Sequence, residues 1–320
     1  MNLYQETANY LSDFIQTQEW AEIGHTFGQF AAQKPHAWKL PVVACEAVGG
    51  KSKQAIPGAA ALACVQISII LIDDMLDQDP RGDYHRLGHA VAANLAAAFS
   101  AAGVKALLQA RCEPQRQVAA AKALCHMMLT TSIGQYLDVQ GVHDEETYWN
   151  LVRFKSAPFY GTALQLGAIL GDADQDQVNR LLHLGQYYGE IIQLHDDIND
   201  AMAVPAAPDW TNPSTSLPIL FAMRVNHPDH IRFQTLRQNS HTLDALQEAQ
   251  AILIRCGAIS YAVDQLLQKY RVAKKLLGET PLTYREHLEA LLAEVLDPVM
   301  RVYETITPLS ERTTLLQWVG

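Results

Sequence analysis

Two short runs constrain this chain more than anything else in it. Ser68 to Asp79 reads SIILIDDMLDQD and Gln193 to Asp200 reads QLHDDIND, so Asp73-Asp74-Met75-Leu76-Asp77 and Asp196-Asp197-Ile198-Asn199-Asp200 both fit D-D-x-x-D. Each closes a segment that is apolar on every side, Ala59 to Leu76 and Gly185 to Ile198, and a helix apolar all round belongs at the centre of a bundle. Helical residues four apart lie about 40° apart around the axis, so Asp73 shares a face with Asp77, and Asp196 with Asp200. Carboxylates at the carboxyl end of a helix oppose its dipole and repel one another. A hard divalent cation relieves both costs, and an all-oxygen ligand set suits Mg2+ better than zinc. One such run alone reads as a solvated acidic loop. Two runs about 120 residues apart, brought face to face across a bundle core, would destabilise each other strongly without cations.

The rest of the chain supports a bundle. Strand-like alternation is scarce, while stretches rich in Ala, Leu and Gln repeat apolar residues at helical spacing. Pro and Gly stand where helices are expected to stop, among them Pro41, Pro57-Gly58, Gly103, Pro114, Gly141, Gly171 and Pro205 to Pro218. The reading is all-α, with roughly ten or more helices. No Ser/Gly/Pro-rich linker divides the 320 residues, so residues 1–320 are expected to form one domain, and 49% hydrophobic residues suffice for a sizeable core. A formal charge of −10 argues against nucleic acid or an anionic membrane surface as partner. Five cysteines without a C-x-x-C pair look like reduced, mostly buried thiols of a cytosolic protein. The start, MNLYQETANYLSDF, has no signal-peptide pattern. The most apolar stretch, Ala59 to Ile72, has only 14 residues, too few to span a bilayer. A cytoplasmic protein that is not an integral membrane protein is therefore expected.

These residues resemble the polyprenyl synthetase family of trans-isoprenyl diphosphate synthases, over roughly Leu40 to Leu277. Gln193 to Asp200 resembles the family's second aspartate-rich motif with its leading glutamine, and SIILIDDMLD its first. Gly134-Gln135-Tyr136-Leu137-Asp138 is similar to its Gly-Gln-x-x-Asp helix, and Tyr148 to Leu170 to the helix whose lysine, here Lys155, binds the allylic diphosphate. The resemblance implies an isoprenoid-synthase-type bundle around a central apolar cavity, a homodimer, and about three Mg2+ ions held by Asp73, Asp74, Asp77, Asp196, Asp197 and Asp200. It also implies ionisation of an allylic prenyl diphosphate, with Asp73, Asp77, Lys155 and Asp196 catalytic, and Gln135, Lys155 and Gln193 binding substrate. That chemistry suits the residues, since metals and Lys155 meet the leaving charge while an apolar wall excludes water.

The expected site for isopentenyl diphosphate departs from the family pattern. Leu40-Pro41 stands in place of Arg-Pro, leaving Lys39, and Gln66 replaces a histidine. The Arg-Arg-Gly after the first motif has shrunk to Pro80-Arg81-Gly82, and Ser214 occupies a diphosphate-binding lysine position. Lys39, Gln66 and Arg81, with Lys51, Lys53 or Arg86 as substitutes, are the candidate acceptor-binding residues. Each lost charged contact costs about 1.5–3 kcal/mol. Condensation with isopentenyl diphosphate into a longer polyprenyl diphosphate is the leading reading. The alternatives are a class I terpene cyclase or a transferase with another acceptor, and a catalytically silent partner subunit. Ser68 and Ile69, small and aliphatic, predict products longer than a farnesyl chain unless Phe154, Phe159 or Tyr136 closes the cavity.

Overall fold

The computed structural model of the protein describes residues 2–12, 20–212 and 215–306, and no strand occurs among them. Fifteen α-helices follow in order: α1 (Leu3–Ser12), α2 (Ala21–Ala32), α3 (Leu40–Ala47), α4 (Ile56–Asp77), α5 (Tyr84–Leu87), α6 (His89–Leu108), α7 (Pro114–Gln140), α8 (Glu145–Lys155), α9 (Ala157–Leu170), α10 (Gln175–Met202), α11 (Leu217–Arg224), α12 (His230–Gln238), α13 (Leu243–Arg255), α14 (Ala258–Glu279) and α15 (Glu286–Ile306). α10 lies against α9 and α14, α4 against α6, and α7 against both α9 and α8. One buried apolar cluster runs from Leu11 of α1 to Leu296 of α15.

Local chemistry sets the helix starts. Pro41, Pro57, Pro114 and Pro218, expected as stops, sit in first turns, where a missing N–H leaves no helical bond unmade. Asp144 and Asp174 cap α8 and α10, each accepting a backbone N–H from three residues on. Gly103, another expected stop, lies inside α6. A Cβ there would sit 3.0 Å from the Ala61 carbonyl oxygen, so the bare glycine lets α6 close onto α4.

The membrane argument needs correcting in its premise. The helical segment Ser52–Asp77 has 26 residues and is long and apolar enough to cross a bilayer, as is α6. In α4 that apolarity is accounted for by packing, because 78% of its most apolar window is buried inside the protein. The thiols also differ from expectation: Cys45 and Cys64 are buried, Cys112 and Cys256 half-buried, and Cys125 exposed.

Candidate active site

The carboxyl ends of α4 and α7 meet. Asp73, Asp77 and Asp138 each offer a carboxylate oxygen within 4.8 Å of the others. Lys155, the last residue of α8, places Nζ 3.0 Å from Asp73 Oδ1 and also donates to Asp138. The approach depends on Gly134, whose missing Cβ would lie 2.5 Å from the Lys155 amide nitrogen and 2.6 Å from its Cα. Only a residue without a side chain lets α8 end this close to α7. Burial alone would lower the Lys155 pKa, but the carboxylates of Asp73 and Asp138 outweigh it and raise it. Asp77 is pushed up to about 6 by burial and then by Asp73.

Asp74 faces elsewhere. α4 ends where Gln78 turns left-handed, φ 54°, and donates its N–H to the Asp74 carbonyl. The following turn brings Asp79 and Asp83 within electrostatic range of Asp74, whose pKa is pushed up to about 6, first by burial. Arg81 forks onto Asp79, with Nε 3.1 Å from Oδ1 and Nη2 2.7 Å from Oδ2. Its side chain remains 80% exposed, and it feels both Asp74 and Asp200.

The second motif divides its labour differently from the first. Asp197 is buried, its Oδ2 accepting from Tyr148 Oη at 2.7 Å and from the Leu217 N–H at 2.8 Å. Its Oδ1 accepts from Gln193 Nε2 at 2.8 Å, and the Gln193 carbonyl oxygen in turn accepts from Ser156 Oγ. Asp197, expected as a metal ligand, accepts from protein donors through both carboxylate oxygens, and Gln193, expected at the substrate, is hydrogen-bonded at both ends of its amide. They fix the geometry of α8, α10 and α11 around the motif. Burial pushes Asp197 up to about 6 against the lowering effect of its three donors. Asp196 is exposed and Asp200 half-buried, leaving these two as the open carboxylates of the motif. Burial and Asp196 raise the Asp200 pKa.

Asp209, in the turn Pro208–Trp210 after α10, lies within electrostatic range of both aspartate groups. Its pKa is pushed up to about 7, first by burial and then by Asp197, Asp200 and Asp138. Sequence reasoning missed Asp209, which stands in a loop without periodicity. Asp138 was visible only as the end of Gly-Gln-x-x-Asp. The donor set is all hard oxygen and its charges are under-compensated, so the residues fit a divalent cation.

A polyprenyl synthetase profile matches residues 39–253. The chain belongs to the polyprenyl synthetase family. It is 25% identical over 255 residues to a geranylgeranyl pyrophosphate synthase of Geoglobus acetivorans, covering 76% of this chain and 80% of that one. It is 23% identical over 270 residues to the octaprenyl diphosphate synthase of Escherichia coli, covering 79% and 82%. The crystal structure of a geranylgeranyl pyrophosphate synthetase from Pyrococcus horikoshii superposes with a TM-score of 0.82 at 18% identity, over 91% of this chain and 94% of that chain.

In this polyprenyl synthetase family member, the residues expected to bind the acceptor include few cations. Gln66 accepts the Trp38 indole N–H at 2.6 Å, which ties α4 to the short turn His36–Lys39 and sets exposed Lys39 beside it. Arg86 is held by Glu22 of α2 at 2.8 Å, and Lys51 and Lys53 are exposed. Ser214 lies outside the described residues. Gln135 is buried with its amide nitrogen lacking an acceptor among the described residues. Among the three residues expected to be able to close the cavity, Tyr136 is 63% exposed, Phe154 half-buried and Phe159 buried. Ser68 turns to α6, its hydroxyl 2.9 Å from that of Ser100.

The raised carboxyls set a pH dependence. Asp74, Asp77, Asp197 and Asp209 keep their protons in the fold up to pH values of about 6 to 7. Stability from such groups is full below the unfolded pKa of about 4 and is lost as pH rises through the folded values. Metal-free protein is therefore expected to melt at a lower temperature at about pH 7.5 than at about pH 5, and Mg2+ to restore the loss. Calorimetry of metal-free protein checks this, and a melting temperature that rises between those pH values would contradict it.

Proposed function

We propose that this prenyltransferase condenses an allylic prenyl diphosphate with isopentenyl diphosphate to give a longer polyprenyl diphosphate. The observation that carries the reading is Lys155, held between Asp73 and Asp138 at the edge of the acidic cluster. In the reaction the allylic C–O bond breaks, the double bond of isopentenyl diphosphate forms the new C–C bond, and a proton leaves. Lys155 would meet the departing diphosphate oxygens, already oriented by its carboxylate partners. Asp73, Asp77 and Asp138, with Asp196 and Asp200 opposite, would hold Mg2+, about three ions by family resemblance; bound there, it neutralises the diphosphate and makes it a better leaving group. Asp197 and Gln193 would keep the second motif in register, and the apolar sides of α4, α9 and α10 would exclude water from the cation. Lys39 and Arg81 are the acceptor's candidate anion clamps. The named products of the relatives, geranylgeranyl and octaprenyl diphosphates, exceed a farnesyl chain and support a longer product here. Those names do not favour the cyclase or silent-subunit alternatives.

The test is incubation with Mg2+ and farnesyl diphosphate, with and without isopentenyl diphosphate. A longer prenyl diphosphate should form only when isopentenyl diphosphate is present. Consumption indifferent to it, yielding a hydrocarbon or alcohol, would overturn the reading.

The protein would act as a soluble cytoplasmic homodimer. On α7, Leu129, Ile133 and Tyr136 are 70%, 48% and 63% exposed and lie along one side of the helix, with Val91 and Leu108 exposed on neighbouring α6. A second copy covering this face is the partner that the family resemblance supplies. Ile133→Glu is expected to shift the protein to monomer in sedimentation, and an unchanged dimer would place the interface elsewhere.

A further inference from the structure

Trp38, fully buried in the turn His36–Lys39, is held by two aromatic neighbours. Phe27 of α2 stacks on it with ring centroids 5.4 Å apart and planes 20° apart, and Tyr4 of α1 leans on it at 5.9 Å. Tyr4 also donates its hydroxyl to the Lys34 carbonyl at 2.9 Å, which fastens the chain just before the turn. An indole held this way cannot follow a mobile partner. The partner must come to it.

That partner is Gln66 of α4, whose carbonyl oxygen takes the indole N–H at 2.6 Å. Indole only donates, so the amide end that faces it is the oxygen and the NH2 end must point the other way. The Gln66 nitrogen has no partner among the described residues and, unlike that of Gln135, is not sealed inside the protein. Two N–H groups are thus offered to open space. Gln66 precedes Asp73 by seven residues (73 minus 66) and Asp77 by eleven (77 minus 66), close to two and three whole turns, so the three project from one side of α4. The amide therefore stands about 10 Å along the helix from Asp73. Lys39, next to Trp38 in the same turn, is exposed.

We propose that Trp38 is a positioning residue for the acceptor: by holding the Gln66 carbonyl it aims the amide nitrogen, with Lys39 alongside, at the diphosphate of isopentenyl diphosphate. The assignment rests on the reading that isopentenyl diphosphate is the acceptor. The reacting carbons must meet beside the cations that hold the allylic diphosphate, so the acceptor's own diphosphate needs a hold elsewhere. A donor-only amide suits it. An amide free to flip would also present its oxygen to the anion, replacing attraction by repulsion. The helices α1 and α2, which carry no aspartate of either motif, thereby act on acceptor affinity through one indole.

The test is a double-mutant cycle on the full chain, read in the KM for isopentenyl diphosphate with Mg2+ and saturating farnesyl diphosphate. Trp38→Phe keeps a ring to stack on Phe27 and removes the N–H. Gln66→Ala is expected to raise that KM about tenfold and Trp38→Phe about fivefold, with kcat and the KM for farnesyl diphosphate within about twofold of wild type. The double variant should match Gln66→Ala alone, because an indole that acts through the amide has nothing left to act on. Gln66→Glu can still accept the indole N–H but turns its second oxygen to the anion, and should raise the KM about a hundredfold. It leaves the aromatic packing unaltered and so reads the aim of residue 66 even where Trp38→Phe does not fold. Additive effects of Trp38→Phe and Gln66→Ala, an equal rise in both KM values, or a Gln66→Glu enzyme with the wild-type KM would each overturn the assignment and leave the acceptor reading in place. Wild-type enzyme that forms no longer prenyl diphosphate would instead overturn the acceptor reading, and this assignment with it.

Discussion

Asp73→Ala is expected to lower kcat by about a thousandfold or more, equivalent to roughly 4 kcal/mol of transition-state stabilisation. Asp73 is the residue through which the two components of the site touch. It faces Asp77 and Asp138 with one carboxylate and pairs with Lys155 through the same group. Removing it takes away a cation ligand and leaves Lys155 oriented by Asp138 alone. Asp196→Ala should act in the same direction from the opposite side. Diphosphate release measured under saturating Mg2+, with circular dichroism to confirm the fold, decides the matter. Near-normal turnover by either variant would refute the metal-site assignment.

Gly134→Ala is the second large effect, and it works through distance. A methyl group there would stand 2.5 Å from the Lys155 backbone nitrogen, so α8 must move away from α7. Overpacking of this kind costs about 1–3 kcal/mol of stability. Displacing Lys155 by an ångström should lower kcat about a hundredfold. Gly103→Ala separates the two consequences, because its methyl would press on Ala61 and Val65, between α6 and α4. It is expected to lower the urea midpoint while kcat survives. If Gly134→Ala kept its kcat, the glycine would be a packing feature without a part in placing Lys155.

Much of this was legible because helical period is a local property. The apolar runs leading to Asp73 and Asp196 gave the central helices, and the four-residue spacing paired Asp73 with Asp77 correctly. What escaped depends on partners distant in sequence. Asp197 looks like its neighbours until Tyr148, Gln193 and Leu217 converge on it. Arg81 and Arg86 are expected at the acceptor, and the sequence does not show that each has a carboxylate partner, Asp79 and Glu22. Gly134 reads as part of a motif, whereas its work is to leave room for a backbone 21 residues later (155 minus 134). Prolines misled in the opposite way, since a residue that cannot continue a helix is well suited to begin one.

The ends of three helices carry one last consequence. α4 stops at Asp77, α7 two residues after Asp138, and α10 two residues after Asp200, so all three direct their carboxyl termini at one place. Each terminus carries a partial charge of about −0.5 from its unpaired carbonyls. Together they add a fixed potential worth roughly one and a half electrons, and no proton can titrate it away. Acid can silence the aspartates, but the backbone goes on attracting cations, so the site is a standing electrostatic well built into the bundle's topology.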